Sequence, residues 1–267
     1  MSPLRWSFLL FVLSASSAPA QRVVLELRPR FGDTLRMRLD QTSEVSGTRE
    51  GKTSKQVVTT LRMFSRAIVE SSSPAVAMIL AITDSVDVSS TDERAIPLAK
   101  ATQAQLEGRQ MRLRLSPDGT VGVADGQTKV PQEVTELVAG MPASFPRGSV
   151  ATGDTWLREM PIPPSTSLGV PLGGVVKAAF RLDSMSSGGD RAYLSLRGTV
   201  SQSGAPGASD KGALTGSVSG SMVVDRRRGW LSESRFLVQM RATVTPVGAP
   251  PMQFRMKITQ HMRVFER

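Results

Sequence analysis

The sequence contains no cysteine and a single histidine, and these two scarcities exclude several classes of function. Without cysteine the chain can form no disulfide, no thiolate nucleophile and no thiolate metal site. With His261 as the only imidazole, no histidine-based zinc site can be assembled. His261 falls among arginines on the solvent-facing register of the last predicted strand, and we interpret it as a bystander rather than a catalytic base.

The other groups that support catalysis are also scarce. No G-x-S-x-G turn joins a predicted strand to a predicted helix, and no glycine-rich stretch matches a phosphate-binding loop. The carboxylate pairs lie where solvent would reach them: Asp92 with Glu93 in a polar loop, and Glu133 with Glu136 on an exposed helix face. We therefore predict a protein that is not an enzyme and that uses neither a metal nor a cofactor.

Long hydrophobic runs are missing except at the start of the chain. Residues 1–20 combine Arg5, an apolar run over residues 6–13 and small residues ending in Ala18-Pro19-Ala20, the pattern of a secretory signal peptide cleaved before Gln21. The run is too short to span a bilayer. We predict a soluble mature protein, periplasmic or extracellular, without a transmembrane span and, for want of a cysteine, without a lipid anchor.

Acidic residues are fewer than basic ones, 23 against 33, which gives a net charge of +10. A basic surface favours anionic partners such as phospholipid head groups or other anionic envelope surfaces. The alternative, which we prefer, is self-repulsion that keeps the protein soluble. Export argues against a nucleic-acid partner.

Alternating apolar and polar residues dominate the mature chain. They are clearest over residues 212–244, where two strands flank the turn Asp225-Arg226-Arg227-Arg228-Gly229. Similar alternation recurs along the chain, whereas residues 42–55 read as a loop. One further strand is predicted to place on a single face Val76, Met78, Leu80, Ile82, Val86 and Val88. The prediction is a mainly β fold: one large curved antiparallel sheet, a half-barrel or open barrel of about ten strands.

One or two short helices accompany the predicted sheet. Pro97 begins one of them, and Gly108 follows its end. The other covers residues 130–141, where Val134, Leu137 and Met141 recur at helical spacing, and we expect it against the concave face of the sheet.

Residues 21–267 read as a single β-rich domain. A two-lobed or duplicated organisation is the alternative, because residues 142–174 form a loop-rich join and Gly153-Asp154-Thr155 there repeats Gly32-Asp33-Thr34. Two copies of a common turn also arise independently.

Methionine and glycine share the inward face of the predicted sheet, and they are our candidates for lining a ligand site. Methionine adapts to irregular apolar partners, and glycine lets a sheet curl or leaves a groove. The alternative is an ordinary core with glycines that permit curvature. The candidates are Met222, Met240, Met256, Met262, Gly216 and Gly220.

Arg226, Arg227 and Arg228 are candidates for contact with an anionic surface. The alternative interpretation is a solvated hairpin tip.

Several short motifs together resemble an uncharacterised family of exported bacterial β-rich proteins, many of them lipoproteins. They are Gly32-Asp33-Thr34, Leu106-Glu107-Gly108, Ser116-Pro117-Asp118-Gly119, Gly153-Asp154-Thr155-Trp156, Met222-Val223-Val224-Asp225 and Gly229-Trp230-Leu231. The family has no assigned activity, and this chain departs from it by lacking the lipobox cysteine. More distantly, the arrangement is similar to the half-barrel lipoprotein carriers of the bacterial envelope.

Two functions follow from these observations. The first is an exported, non-enzymatic envelope protein that holds an apolar or amphiphilic, lipid-like ligand in a concave sheet. The second is a structural or protein-interaction module with a filled core, acting through its basic surface. A membrane-spanning barrel is disfavoured because the outward positions carry Arg, Lys and Glu instead of an apolar band.

Overall fold

The computed structural model describes residues 22–49, 52–124, 144–165, 172–202, 212–245 and 250–265. The predicted signal peptide at residues 1–20 and the predicted helix at residues 130–141 lie outside the described residues. Both stay predictions.

The described strands form one antiparallel sheet. Its order is β6-β5-β4-β3-β1-β12-β11-β10-β9-β8-β7, with the short β2 paired to β1. The strands are β1 (Thr34–Arg49), β2 (Lys52–Thr53), β3 (Val57–Ser72), β4 (Ala77–Ser90), β5 (Gln110–Leu115), β6 (Val121–Val123), β7 (Thr155–Ser165), β8 (Leu172–Met185), β9 (Arg191–Gln202), β10 (Gly212–Asp225), β11 (Trp230–Val244) and β12 (Met252–Phe265). The predicted large antiparallel sheet is confirmed, with twelve strands rather than about ten.

A single α-helix, α1 (Ile96–Leu106), accompanies the sheet in the described part of the chain. A 3-10 turn at Glu93–Ala95 precedes it, and α1 packs beside β4. Its proline lies in the first turn and Gly108, with a φ of 73°, follows its end, as the sequence predicted.

The sheet is open but strongly curved. Its edge strands β6 and β7 do not pair with each other among the described residues. Eleven strands in a flat row would hold the edges roughly 48 Å apart. Here the indole Nε1 of Trp156, on β7, donates to the carbonyl of Ser144, and the next amide, Phe145 N–H, donates to Asp118 in the β5–β6 turn. Ser144 and Phe145 therefore connect β7 to the β5–β6 turn. The sheet is curved enough to bring its two edges close together.

Residues 22–33, which we call the strap, cross the same end of the sheet. Val23 exchanges both backbone hydrogen bonds with Val150, just before β7, at 2.8 Å each, and Leu27 N–H donates to the carbonyl of Pro117 in the β5–β6 turn. Farther on, the carbonyl of Pro29 accepts from the Ser72 hydroxyl at 2.7 Å. The strap thus joins elements from both sides of the open edge, and we call this end of the sheet the strap end.

The repeated Gly-Asp-Thr turns begin β1 and β7 with the same geometry. Gly32 and Gly153 have φ values of 83° and 94°, a conformation that favours glycine. Asp33 and Asp154 each accept a backbone N–H three residues earlier through the side chain, at 3.1 and 2.9 Å. The next apolar residue after each turn, Leu35 or Trp156, is buried, as the turn chemistry predicted.

Two sequence predictions about individual strands are wrong. The polar residues predicted as a loop after residue 41 continue β1 as far as Arg49, because this central strand pairs with β12 on one side and β3 on the other. In β4, Met78 was expected on the same face as Val86. A bulge at Asp84 shifts the register, so Ile79 shares the buried face with Val86 and Met78 lies on the other.

We predict that Leu25→Ala will destabilise the protein by about 2–5 kcal/mol, because it empties a fully enclosed site in the strap. Leu25 is 1% exposed and belongs to the largest cluster of buried side chains. Its neighbour Val24 is 50% exposed, so Val24→Ala is the control and should change stability by less than about 0.5 kcal/mol. Urea unfolding measures the loss of unfolding free energy in both variants. Equal losses would show that the strap does not stabilise the core.

Candidate functional site

One face of the sheet carries no charged side chain across five consecutive strands, over residues 37–47 of β1 and the positions of β12, β11, β10 and β9 named below. Residues directly opposite each other in antiparallel strands share a face, so the register identifies its members. We call it the uncharged face. It consists of Ala192, Leu194, Leu196, Gly198 and Val200 on β9; Leu214, Gly216, Val218, Gly220, Met222 and Val224 on β10; Ser234, Phe236, Val238, Met240, Ala242 and Val244 on β11; Phe254, Met256, Ile258, Gln260, Met262 and Val264 on β12; and Met37, Leu39, Gln41, Ser43 and Val45 on β1.

Burial of the uncharged face is uneven. On β9 and β10 near the strap end, side chains such as Leu194, Met222 and Val224 are buried in the core together with Val23 and Leu25 of the strap. On β12 and β1 the face is only half-buried over most of its length, including Met256 and Ile258. The centre of the sheet therefore presents an apolar, uncharged surface that the described residues cover incompletely.

The structure brings the predicted ligand-lining residues together in cross-strand rows. Gly216, Met240 and Met256 lie directly opposite one another on β10, β11 and β12. Met222 and Met262 occupy another row, separated by Ser234. Met222 is buried in the core, whereas Met240, Met256 and Met262 are half-buried. The assignment of these residues to a ligand site stays a prediction.

The glycines of this face are covered by neighbouring side chains. A Cβ added to Gly220 would lie 2.5 Å from the ring of Phe236 on β11 and would also meet the carbonyl of Arg235. One added to Gly216 would lie 3.0 Å from Cα of Met240. The absence of a side chain at these positions lets β10 and β11 approach closely and coil.

Gly220→Ala is predicted to destabilise the protein by about 1–3 kcal/mol, because the added methyl group has no space between β10 and β11. Gly122→Ala on β6, where an added Cβ meets nothing within 4 Å, is the matched control. Thermal unfolding of both variants tests this. If Gly220→Ala is as stable as Gly122→Ala, the close approach of β10 and β11 at Gly220 is contradicted.

Two of the three arginines of the β10–β11 turn contact a neighbouring turn, and the third lies near a carboxylate of its own turn. Arg226 donates to the carbonyl of Gly189 at 2.6 Å, and Arg227 lies 3.7 Å from the carboxylate of Asp190, both in the β8–β9 turn. Arg228 lies 4.0 Å from the Asp225 carboxylate. Arg226 and Arg227 are exposed. The turn is thus tied to the strap end, and its contact with an anionic surface stays a prediction.

Asp40 organises an ion-pair cluster on the opposite, polar face of the sheet. Arg38 contacts both of its carboxylate oxygens, at 2.7 and 2.8 Å, and Arg62 on β3 contacts one at 3.2 Å. The guanidinium of Arg38 also lies 5.6 Å from the centre of the Phe64 ring. The hydrogen bond from Arg38 holds the pKa of Asp40 below its ordinary value; burial opposes this, and the hydrogen bond from Arg62 adds to the lowering.

His261 has a specific partner that sequence reasoning missed. Its Nε2 lies 2.7 Å from a carboxylate oxygen of Glu233, which Arg235 also contacts at 2.8 Å. The hydrogen bond with His261, and then that with Arg235, lowers the pKa of Glu233. The period-two spacing of Glu233 with Arg235 signals a pair on one face, but only the β11–β12 register reveals His261 as their neighbour.

The remaining groups point to no metal centre in the part of the chain that the structure describes. Within those residues, no three potential ligands among His, Asp and Glu lie close enough together to hold a metal ion. No described helix is long and apolar enough to cross a membrane.

Comparisons with known proteins add little. No family model and no curated protein matches the chain. The outer membrane protein OprG from Pseudomonas aeruginosa is similar at 6% identity and a TM-score of 0.23, covering 90% of this chain and 100% of that one. An outer membrane channel from Pseudomonas putida F1 is similar at 10% identity and a TM-score of 0.23, covering 90% and 98%. Likeness at this level supports no inference about function.

We predict that Asp40→Asn will lower stability by up to about 1 kcal/mol at neutral pH. Because the folded-state pKa of Asp40 lies below its ordinary value of 3.8, its ion pairs stabilise the fold above that pH and lose their effect as the pH falls through the lowered pKa. The difference in unfolding free energy between Asp40→Asn and the wild type should therefore disappear in strong acid. Urea unfolding across this pH range is the measurement, with the exposed Glu107→Gln as control; a difference that persists in acid would exclude the ion pairs as its cause.

Proposed function

We propose that this chain is an exported envelope protein, not an enzyme, whose uncharged face binds an apolar or amphiphilic ligand. The observation that carries the proposal is the half-buried, charge-free surface at the centre of the sheet, on β11, β12 and β1. Export rests on the signal-peptide pattern of residues 1–20.

The composition of this surface supports a ligand with an acyl chain. Met240, Met256 and Ile258 are flexible or branched apolar side chains that adapt to a chain-like partner. The polar members of β12 and β1 on this face, Gln41, Ser43 and Gln260, are uncharged. Burying this surface against hydrocarbon releases water from apolar area without stripping water from an ion.

The filled core at the strap end supports the alternative, a structural or interaction module. Met222, Leu194 and Val224 are already buried there and have no surface to offer a ligand. The two functions make different demands on the centre of the sheet: a binding protein must take up an amphiphile there, and a structural module need not.

The expected result is saturable binding of the fluorescent fatty acid cis-parinaric acid, weakened about tenfold by Met256→Gln. Glutamine keeps the length of methionine but places an amide on the uncharged face, at a cost of roughly 1.4 kcal/mol in binding. Fluorescence titration measures the affinity, and native mass spectrometry tests whether lipid co-purifies with the wild type.

Thr259→Gln is the matched control, because Thr259 is exposed on the polar face of the same strand. It should bind the probe like the wild type. Absence of saturable binding by the wild type, or equal weakening by both substitutions, would contradict the proposed function and favour the structural module.

A further inference from the structure

The polar face contains a groove on the opposite side of the sheet from the uncharged face. It has a volume of about 450 Å³ and runs across β10, β11, β12 and β1. Two cross-strand rows line it: Thr215, Arg241, Arg255 and Ser46 in one, and Ser217, Gln239, Lys257 and Glu44 in the other. Since neighbouring side chains in a strand point to opposite faces, Gly216, Met240 and Met256 contribute their backbone to its floor.

Arg241 and Arg255 lie directly opposite each other in this groove, and neither contacts a carboxylate in the described part of the chain. Like charges directly opposite in a sheet destabilise it. Two other arginine pairs face each other on the polar face of the described strands, Arg36 with Arg66 and Arg38 with Arg263. One member of each has an acidic partner: Arg66 contacts Asp84 at 2.8 Å, and Arg38 contacts Asp40 at 2.7 Å. The Arg241–Arg255 pair therefore has a repulsion that the described residues leave uncompensated.

Among the described residues that line the groove, the one carboxylate is already neutralised. Glu44 contacts the ammonium of Lys257 at 2.8 Å and accepts a hydrogen bond from the side chain of Gln56 at 2.7 Å. The Lys257 hydrogen bond lowers the pKa of Glu44, so this carboxylate is ionised at neutral pH. Three cations and one carboxylate give the described part of the lining two excess positive charges.

We propose that this groove, the arginine groove, binds the phosphate group of a phosphate ester. Two guanidinium groups on adjacent strands suit a tetrahedral oxyanion with two negative charges, because each can donate two hydrogen bonds in a plane. The hydroxyls of Thr215 and Ser46 flank the arginines in the same row and add donors. The volume exceeds that of phosphate alone and lies in the range of small-molecule sites, so the ester has an organic part.

The site is independent of the proposed acyl-chain site, since the sheet separates the two. The phosphate ester is either a small soluble molecule or the headgroup of a lipid. The chemistry at the arginines is shared, and the test distinguishes the sources.

Isothermal titration calorimetry of the full chain with glycerol 3-phosphate measures binding of the small soluble ester. Flotation with phosphatidylcholine vesicles, with and without phosphatidic acid, measures binding of the lipid headgroup. The double variant Arg241→Gln/Arg255→Gln should bind the phosphate ester at least about tenfold more weakly, because it loses one or more charge-assisted contacts. Arg197→Gln is the matched control, because Arg197 is also an exposed arginine without an ion pair in the described part of the chain. It should bind like the wild type.

A second readout separates binding from general charge effects. Without ligand, the double variant should be at least as stable as the wild type, because the like-charge contact is gone. Glycerol 3-phosphate should raise the unfolding temperature of the wild type and of Arg197→Gln, and not that of the double variant. Binding to phosphatidic acid vesicles alone identifies a lipid headgroup and supports the proposal. No binding in either arm, or equal loss in Arg197→Gln, overturns it.

Discussion

Leu27 packs against two clusters of buried side chains that the sheet otherwise holds apart, one on β8 to β10 and one on β1, β3, β4 and β5. Together with Leu25 it makes the strap a hydrophobic link across the strap end. A sheet with two free edges gains little from closing on itself unless something fills its concave side, and here the strap does so. The curvature, the approach of β6 to β7 and the unequal burial of the uncharged face all depend on this contact.

The strap also explains why the strap end differs from the centre of the sheet. At the strap end, the turns after β3, β5, β8 and β10 are joined to the strap or to each other by hydrogen bonds such as Ser72 to Pro29 and Arg226 to Gly189. Toward the middle of β12 and β1, apolar residues such as Met256 and Ile258 remain half-buried. The same sheet thus combines a filled core with an apolar surface that the described residues cover incompletely, and this division lets a stable fold coexist with the proposed binding surface.

Sequence reasoning predicted the sheet and the faces of most strands because alternation is a local property: the buried Leu214, Val218, Met222 and Val224 follow directly from it. Sequence reasoning failed where pairing with neighbouring strands overrides the local pattern of a strand. The bulge at Asp84 moved Met78 to the polar face, and two partners made the polar end of β1 a strand. The contacts of His261 with Glu233, and of Arg241 with Arg255, depend on the β11–β12 register, which no single strand encodes. The candidate ligand residues were recognisable as a set, but only the strand order shows that Gly216, Met240 and Met256 form one row.

The central claim is that the uncharged face is filled at the strap end and accessible at its centre. The most direct test is a methyl NMR spectrum of the protein with labelled methionines, recorded with and without a spin-labelled fatty acid. The account predicts that the signals of Met240, Met256 and Met262 broaden most, while that of Met78 on the polar face stays sharp. Uniform broadening, or none at the three central methionines, would contradict it.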